Sequence, residues 1–133
     1  MGLIKKSALA VIENNRLLVV KPHKSGFLLM PGGKPEQGET PVEALKREIM
    51  EELGCSIEES SIVRLGTFED AAAGSSNMVS IELYTGRLVG IPKPCSEIEE
   101  LVWVGSGSLD ERITPVIRNK IMPFLVTHKL LKF

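Results

Sequence analysis

Residues 7–12 are apolar and partly β-branched, Asn14 and Asn15 form a polar pair, and residues 16–20 are apolar again, a pattern that predicts two strands joined as a hairpin. Residues 21–26 read as a loop, 27–30 as a short buried strand, and 31–38 as a long irregular loop rich in Gly and Pro. The clearest helix follows. Thr40 is placed to cap it, Pro41 suits its first position, Glu43 completes a Thr-x-x-Glu capping box, and Gly54 stands after the last turn. Along it Val42, Leu45, Ile49 and Leu53 fall on one stripe, the face expected to dock on a sheet.

Further strands are expected over residues 62–68, 78–88 and 101–104, with the small, polar stretch 71–77 joining the first two. Thr114-Pro115 repeats the cap-then-proline start of a helix, which Pro123 should interrupt or restart. Strands outnumber helices and helices interrupt the strand order. The expected fold is therefore α+β, one domain over residues 1–133, with a mixed β-sheet covered by helices.

Composition narrows the partners. The 133 residues carry 16 Lys and Arg against 17 Asp and Glu, a net charge of −1, so no positive field is present to hold a long nucleic acid backbone. Cys55 and Cys95 lie far apart with no CxxC pair, which excludes a thiolate metal site or a disulfide scaffold and reads as reduced, structural thiols. No apolar run approaches a membrane span, and the chain is expected in the cytoplasm, as a monomer or homodimer, with no membrane partner.

Candidate chemistry sits on the first helix. Glu48 and Glu52 are one turn apart, and Glu51 stands three residues after Glu48, so three carboxylates crowd a single arc. On spacing alone these glutamates, with Glu43, read as the solvated side of a helix rather than a metal site. The loop before them alters that reading: Pro31-Gly32-Gly33-Lys34 brings a flexible backbone, able to approach a ligand closely, directly to an acidic helix. Oxygen-rich clusters of this kind suit Mg²⁺.

From Gly33, five residues lead to Glu39 and seven more to Arg47-Glu48, with Ile49, Glu51-Glu52, Gly54 and Cys55 following. This spacing resembles the box of the Nudix hydrolase superfamily, and the run 31–40 is similar to its MutT-like members. Cys55 stands where an aliphatic residue is usual, a small departure because Cys often behaves as a small hydrophobe. The resemblance implies an α/β/α sandwich, a nucleotide-like small-molecule substrate, and Mg²⁺ or Mn²⁺ held by Glu48, Glu51 and Glu52, with the Gly33 carbonyl as a further ligand. Glu39 and Arg47 would brace the loop and helix. Two general bases stay open, Glu52 within the box and Glu97 ahead of Trp103, with Glu52 preferred.

Compact length and the run 31–40 resemble pyrophosphohydrolases that cut a nucleoside triphosphate to a monophosphate and pyrophosphate. Residues 71–74 lack the proline or tyrosine that marks some ADP-ribose or dinucleoside-polyphosphate members. ADP-ribose or a nucleotide sugar is the alternative substrate, and a regulatory Nudix module without turnover is the alternative from another class, against which the intact Glu48, Glu51 and Glu52 argue. Base contacts are expected from Phe27, Phe68, Asn77 and Tyr84.

Overall fold

The computed structural model describes residues 2–133. Asn14 and Asn15 both take positive φ, 50° and 61°, as a two-residue type I′ hairpin turn requires. They join β2 (Ile12–Glu13) to β3 (Arg16–Pro22), with Ile12 facing Leu17 and Glu13 facing Arg16. Residues 7–10, expected as part of this hairpin, instead end β1 (Leu3–Ala10) in a different sheet. The reason is burial: Ala8, Leu9 and Ala10 are buried, so both faces of the strand need cover. β1 lies inside the sheet, with β4 (Gly32–Gly33) antiparallel on one edge and β7 (Met78–Thr85) parallel on the other, and helices against its two faces. β6 (Val63–Ala71) completes this mixed sheet by pairing antiparallel with β7.

β3 pairs with β9 (Ile98–Val104), Leu17 opposite Val104 and Leu18 opposite Trp103, in a second sheet. β9 starts earlier than the expected residue 101, because Ile98 is buried beside Pro22 while Glu99 stays outside, paired to Lys21. Residues 27–30 are not a strand of either sheet. Leu29 exchanges two backbone hydrogen bonds of 2.8 Å with Val20, and the Leu28 N–H donates to the Arg112 carbonyl. Short β5 (Ser56–Ile57) and β8 (Leu88–Val89) pair as a separate ribbon.

Side-chain alternation divides the core in two. Leu9, Val11, Leu18 and Val20 meet Leu45, Ile49 and Leu53 of α1 (Pro41–Leu53). Ala8, Ala10, Leu17 and Val19 face the opposite way, toward Ile117, Ile121 and Leu125. β1 and β3 thus lie between two helical layers, the expected α/β/α sandwich. Cys55 is buried in the α1 core as an apolar residue.

α1 is capped as its sequence requires: the Glu43 N–H donates to Thr40 Oγ1 (3.1 Å), and the Thr40 N–H to Glu43 Oε1 (2.8 Å). Gly54 ends it at φ 69°. The C-terminal helix departs from expectation at its cap. Its first turn begins at Pro115, but the Thr114 hydroxyl caps nothing and is buried without a partner. Pro123 stands where the helix restarts, as expected: a π-helical turn at Ile117–Ile121, where the Met122 N–H reaches back to the Ile117 carbonyl, gives way to α2 (Met122–Thr127), which carries Pro123 in its first turn. Among the described residues no helix is long and apolar enough to cross a membrane.

Candidate active site

The site lies where β4 leaves the edge of the mixed sheet and α1 passes behind it. Gly32 sits at φ 140°, and a Cβ there would overlap the Ser7 carbonyl and the Ala8 backbone. Only glycine lets β4 lie so close to β1. At Gly33 a Cβ would occupy the space filled by the Glu48 carboxylate. The paired glycines therefore bring backbone and acidic helix into direct contact.

Glu52 is buried, 8% exposed, and its Oε1 accepts a hydrogen bond from the Gly32 N–H at 3.0 Å. Burial is the main cause that lifts its pKa to about 8, with Glu48 and Glu97 adding repulsion and Lys6 opposing it. Glu48 is lifted to about 7, again chiefly by burial, with Glu51 and Glu97 contributing. These carboxylates are poor anions until a cation joins them. Glu51 is turned outward and does not line the cleft. Among the described residues no group of three His, Cys, Asp or Glu side chains forms a ready-made metal cage.

Arg47 ties the loop to the helix. Its Nε and Nη2 donate to Glu39 at 2.7 and 3.0 Å, Nη2 also reaches the Lys34 carbonyl (3.1 Å), and Nη1 lies 3.2 Å from Glu48 and 3.4 Å from Glu51. The hydrogen bonds from Arg47 hold the Glu39 carboxyl down at about 2. These bonds join the loop at Lys34 and Glu39 to α1 through one guanidinium.

Glu48, Glu52, Glu97, Lys34 and Arg47 line a cleft of about 460 Å³. Beside it opens an apolar chamber of about 230 Å³ walled by Phe27, Met30, Ala72, Val79, Ile81 and Val116. Lys6, Leu29, Met30 and Gly32 line both, so cleft and chamber adjoin. Lys6 was missed in the sequence. Its signal was available: alternation puts it on the face of β1 shared with Ala8 and Ala10, where a lysine needs a reason. Desolvation lowers its pKa, and the nearest charges include Glu52, Lys34 and Glu48.

Of the expected base contacts, the structure brings only Phe27 to this place, its ring packed against Gly74 across the chamber. Phe68 packs edge-on against Phe124, ring centres 5.0 Å apart, as part of the core. Asn77 Oδ1 accepts from the Gly2 N–H at 2.9 Å, so its amide is spent fastening β1. Tyr84 is 6% exposed in the α1 core, because even-numbered positions of β7 face α1 while Val79 and Ile81 face the chamber. None of these three lines the chamber or the cleft.

The NUDIX domain family matches residues 3–123. The chain belongs to the Nudix family. A MutT-like protein of Streptomyces ambofaciens is 25% identical over 122 residues, 92% of this chain and 76% of that protein. An 8-oxo-dGTP diphosphatase of Proteus vulgaris is 43% identical over 54 residues, 38% of this chain and less than half, 48%, of that protein. A MutT NUDIX hydrolase from Burkholderia pseudomallei superposes with TM-score 0.74 at 24% identity, covering 87% of this chain and 93% of that one. The E. coli ORF135 protein gives TM-score 0.75 at 20% identity over 97% and 92%. These two likenesses establish the fold, and the chain is a MutT-like Nudix hydrolase, an enzyme acting on phosphoric anhydrides.

Proposed function

We propose that this Nudix hydrolase is a divalent-cation-dependent pyrophosphohydrolase that cuts a nucleoside triphosphate, canonical or damaged, to a monophosphate and pyrophosphate. The observation that carries the reading is the apolar chamber set directly beside the acidic cleft, with Lys6 and Gly32 in the wall of both. Polyphosphate and base need such unlike surroundings side by side. The shared stretch with 8-oxo-dGTP diphosphatases supports the same class.

The donor set fits Mg²⁺ or Mn²⁺. All candidate ligands are oxygens, the buried Glu52 and half-buried Glu48 repel one another, and Glu48 lies over a glycine that leaves it room. Mg²⁺ commonly keeps several waters and takes one or two carboxylates, so a closed protein cage is not needed. Glu48 and Glu52 would hold it, with the Gly33 carbonyl and Glu51 beside them. Once bound, the cation neutralises charge on phosphate oxygens and makes a water more acidic.

The protein's own groups do the rest. Lys6, at the junction, meets the phosphate chain as a partly desolvated cation, and Lys34 approaches from the loop. Glu52, fixed through one oxygen by the Gly32 N–H, takes the proton from the attacking water, and Glu97 lies across the same cleft as the second candidate. Phe27 and the chamber enclose the base.

The test is a panel of canonical and oxidised nucleoside triphosphates, ADP-ribose, nucleotide sugars and dinucleoside polyphosphates with Mg²⁺ or Mn²⁺. Triphosphates should show the higher kcat/KM, with pyrophosphate released. A clear preference for ADP-ribose, with AMP released, would overturn the substrate reading and leave the Nudix chemistry standing.

A further inference from the structure

Apart from glycines, the described residues take positive φ at Asn14, Asn15, Ser96 and Lys129. The two asparagines make the hairpin turn, and Lys129, at φ 61°, follows the end of α2. Ser96, at φ 55°, stands next to Glu97, which lines the acidic cleft and repels the charged forms of Glu48 and Glu52. Serine does not adopt this conformation readily, so the surroundings must hold it there.

Three backbone hydrogen bonds do so. The Cys95 N–H donates to the Glu52 carbonyl at 3.0 Å, which ties the segment to the last turn of α1. The His23 N–H donates to the Glu97 carbonyl at 2.9 Å, which ties it to the residue after β3. Between them the Ile98 N–H donates to the Cys95 carbonyl at 3.0 Å and closes a four-residue turn. Ser96 is the first central residue of that turn, with positive φ, and Glu97 the second, without it. This is the pattern of a type II′ turn, whose first central position ordinarily holds glycine.

Ser96 is itself exposed and lines neither the cleft nor the chamber. What it supplies is direction. Both ends of the turn are fixed, and Ile98, directly after Glu97, is buried opposite Pro22. Negative φ at Ser96 would give the turn another hand between the same fixed ends and carry the Glu97 carboxylate off its line into the cleft.

We propose that Ser96 is a positioning residue of this hydrolase, its left-handed backbone aiming Glu97 into the cleft that holds Glu48 and Glu52. The proposal rests on the reading of the cleft as the place of hydrolysis and asks nothing of the substrate's base.

The experiment separates backbone from side chain at one position. Ser96→Gly and Ser96→Asn accept positive φ without the hydroxyl, whereas Ser96→Val and, less severely, Ser96→Ala resist it. Lys129→Val is the control, the same strain outside the cleft. All are assayed on whichever compound of the panel wild type turns over best, so that failure of the triphosphate reading leaves the series intact. Ser96→Val should lose about tenfold or more in kcat with KM within about twofold, the mark of a displaced reacting group rather than of lost binding. Ser96→Gly and Ser96→Asn should stay within about twofold of wild type. Added to Glu97→Gln, Ser96→Val should cost no further activity, because it acts through that carboxylate. Lys129→Val should lower Tm and keep kcat.

Wild-type kcat in folded Ser96→Val would overturn the proposal, and if that variant does not fold, Ser96→Ala carries the same comparison. An equal loss in Ser96→Gly would assign the effect to the hydroxyl, and an equal loss in Lys129→Val would assign it to strain at large; either overturns the proposal. So does a loss that persists in the Glu97→Gln background, or a Glu97→Gln variant as active as wild type, which would leave Ser96 nothing to position.

Discussion

Glu52 Oε1 accepts the Gly32 N–H at 3.0 Å, and this bond sets the buried end of the acidic helix against the tight glycine pair of β4. The two glycines then have separable roles. Gly32 is closed to a side chain by rigid backbone, whereas at Gly33 the obstacle is the end of a flexible glutamate. Gly32→Ala should lower Tm markedly, since positive φ and backbone overlap are both costly. Gly33→Ala should leave Tm within a few degrees but displace Glu48. Calorimetric Mg²⁺ titration of that variant should show at least about tenfold weaker binding, the usual consequence of disturbing a ligand's support. Unaltered Mg²⁺ affinity in folded Gly33→Ala would remove Glu48 from the metal site.

Glu52→Gln keeps size and helix propensity but deletes the charge, and should reduce kcat by about 10²- to 10⁴-fold, the range for loss of a general base. Glu97 is exposed in the turn just before β9, and Glu97→Gln should cost less. With both variants folded and at saturating metal, a larger loss in Glu97→Gln would reverse the assignment of the base.

The helix at the centre of the site was legible because its signals are local: the Thr40 and Glu43 box, the four-residue stripe, the Gly54 stop and the spacing from Gly33 to Cys55. The walls of the apolar chamber were not. Phe68, Asn77 and Tyr84 were nominated as residue types suited to stacking and amide pairing, but which face of β7 meets α1 is decided by long-range pairing with β1. Lys6 and Thr114 come together from the two ends of the chain, and nothing in their neighbours specifies that meeting. Thr114 also carries a misleading local signal, since Thr-Pro reads as a helix cap whereas here the hydroxyl is buried without a partner.

The Glu39–Arg47 brace predicts an acid limb of stability. Arg47 holds the folded-state pKa of Glu39 near 2, below its ordinary value of 4.5. The folded state therefore binds fewer protons between these values than the unfolded state does, so this stabilisation is complete above about pH 4.5 and is lost as pH falls toward 2. Glu39→Gln should be destabilised relative to wild type at pH 7, and urea midpoints of the two should converge by about pH 2. A gap that stays constant across that range would mean Glu39 contributes through packing rather than charge.

Glu52 and Glu48 present the opposite sign. Their folded-state values, about 8 and about 7, lie above the ordinary 4.5, so the metal-free folded protein holds protons that the unfolded chain has released. Its stability should fall as pH rises from about 5 to 8. A divalent cation competes for the same oxygens, and one that binds only the folded state raises stability by about 2.7 kcal/mol at a hundredfold excess over Kd. Mg²⁺ should thus raise Tm more at pH 8 than at pH 5, and EDTA should abolish turnover at either. In Glu52→Gln the pH-dependent part of the Mg²⁺ shift should shrink, because one of the two competing protons is gone. Full turnover in protein shown by elemental analysis to be metal-free, or a Mg²⁺ shift in Tm equal at both pH values, would refute the placement of the cation on these two carboxylates.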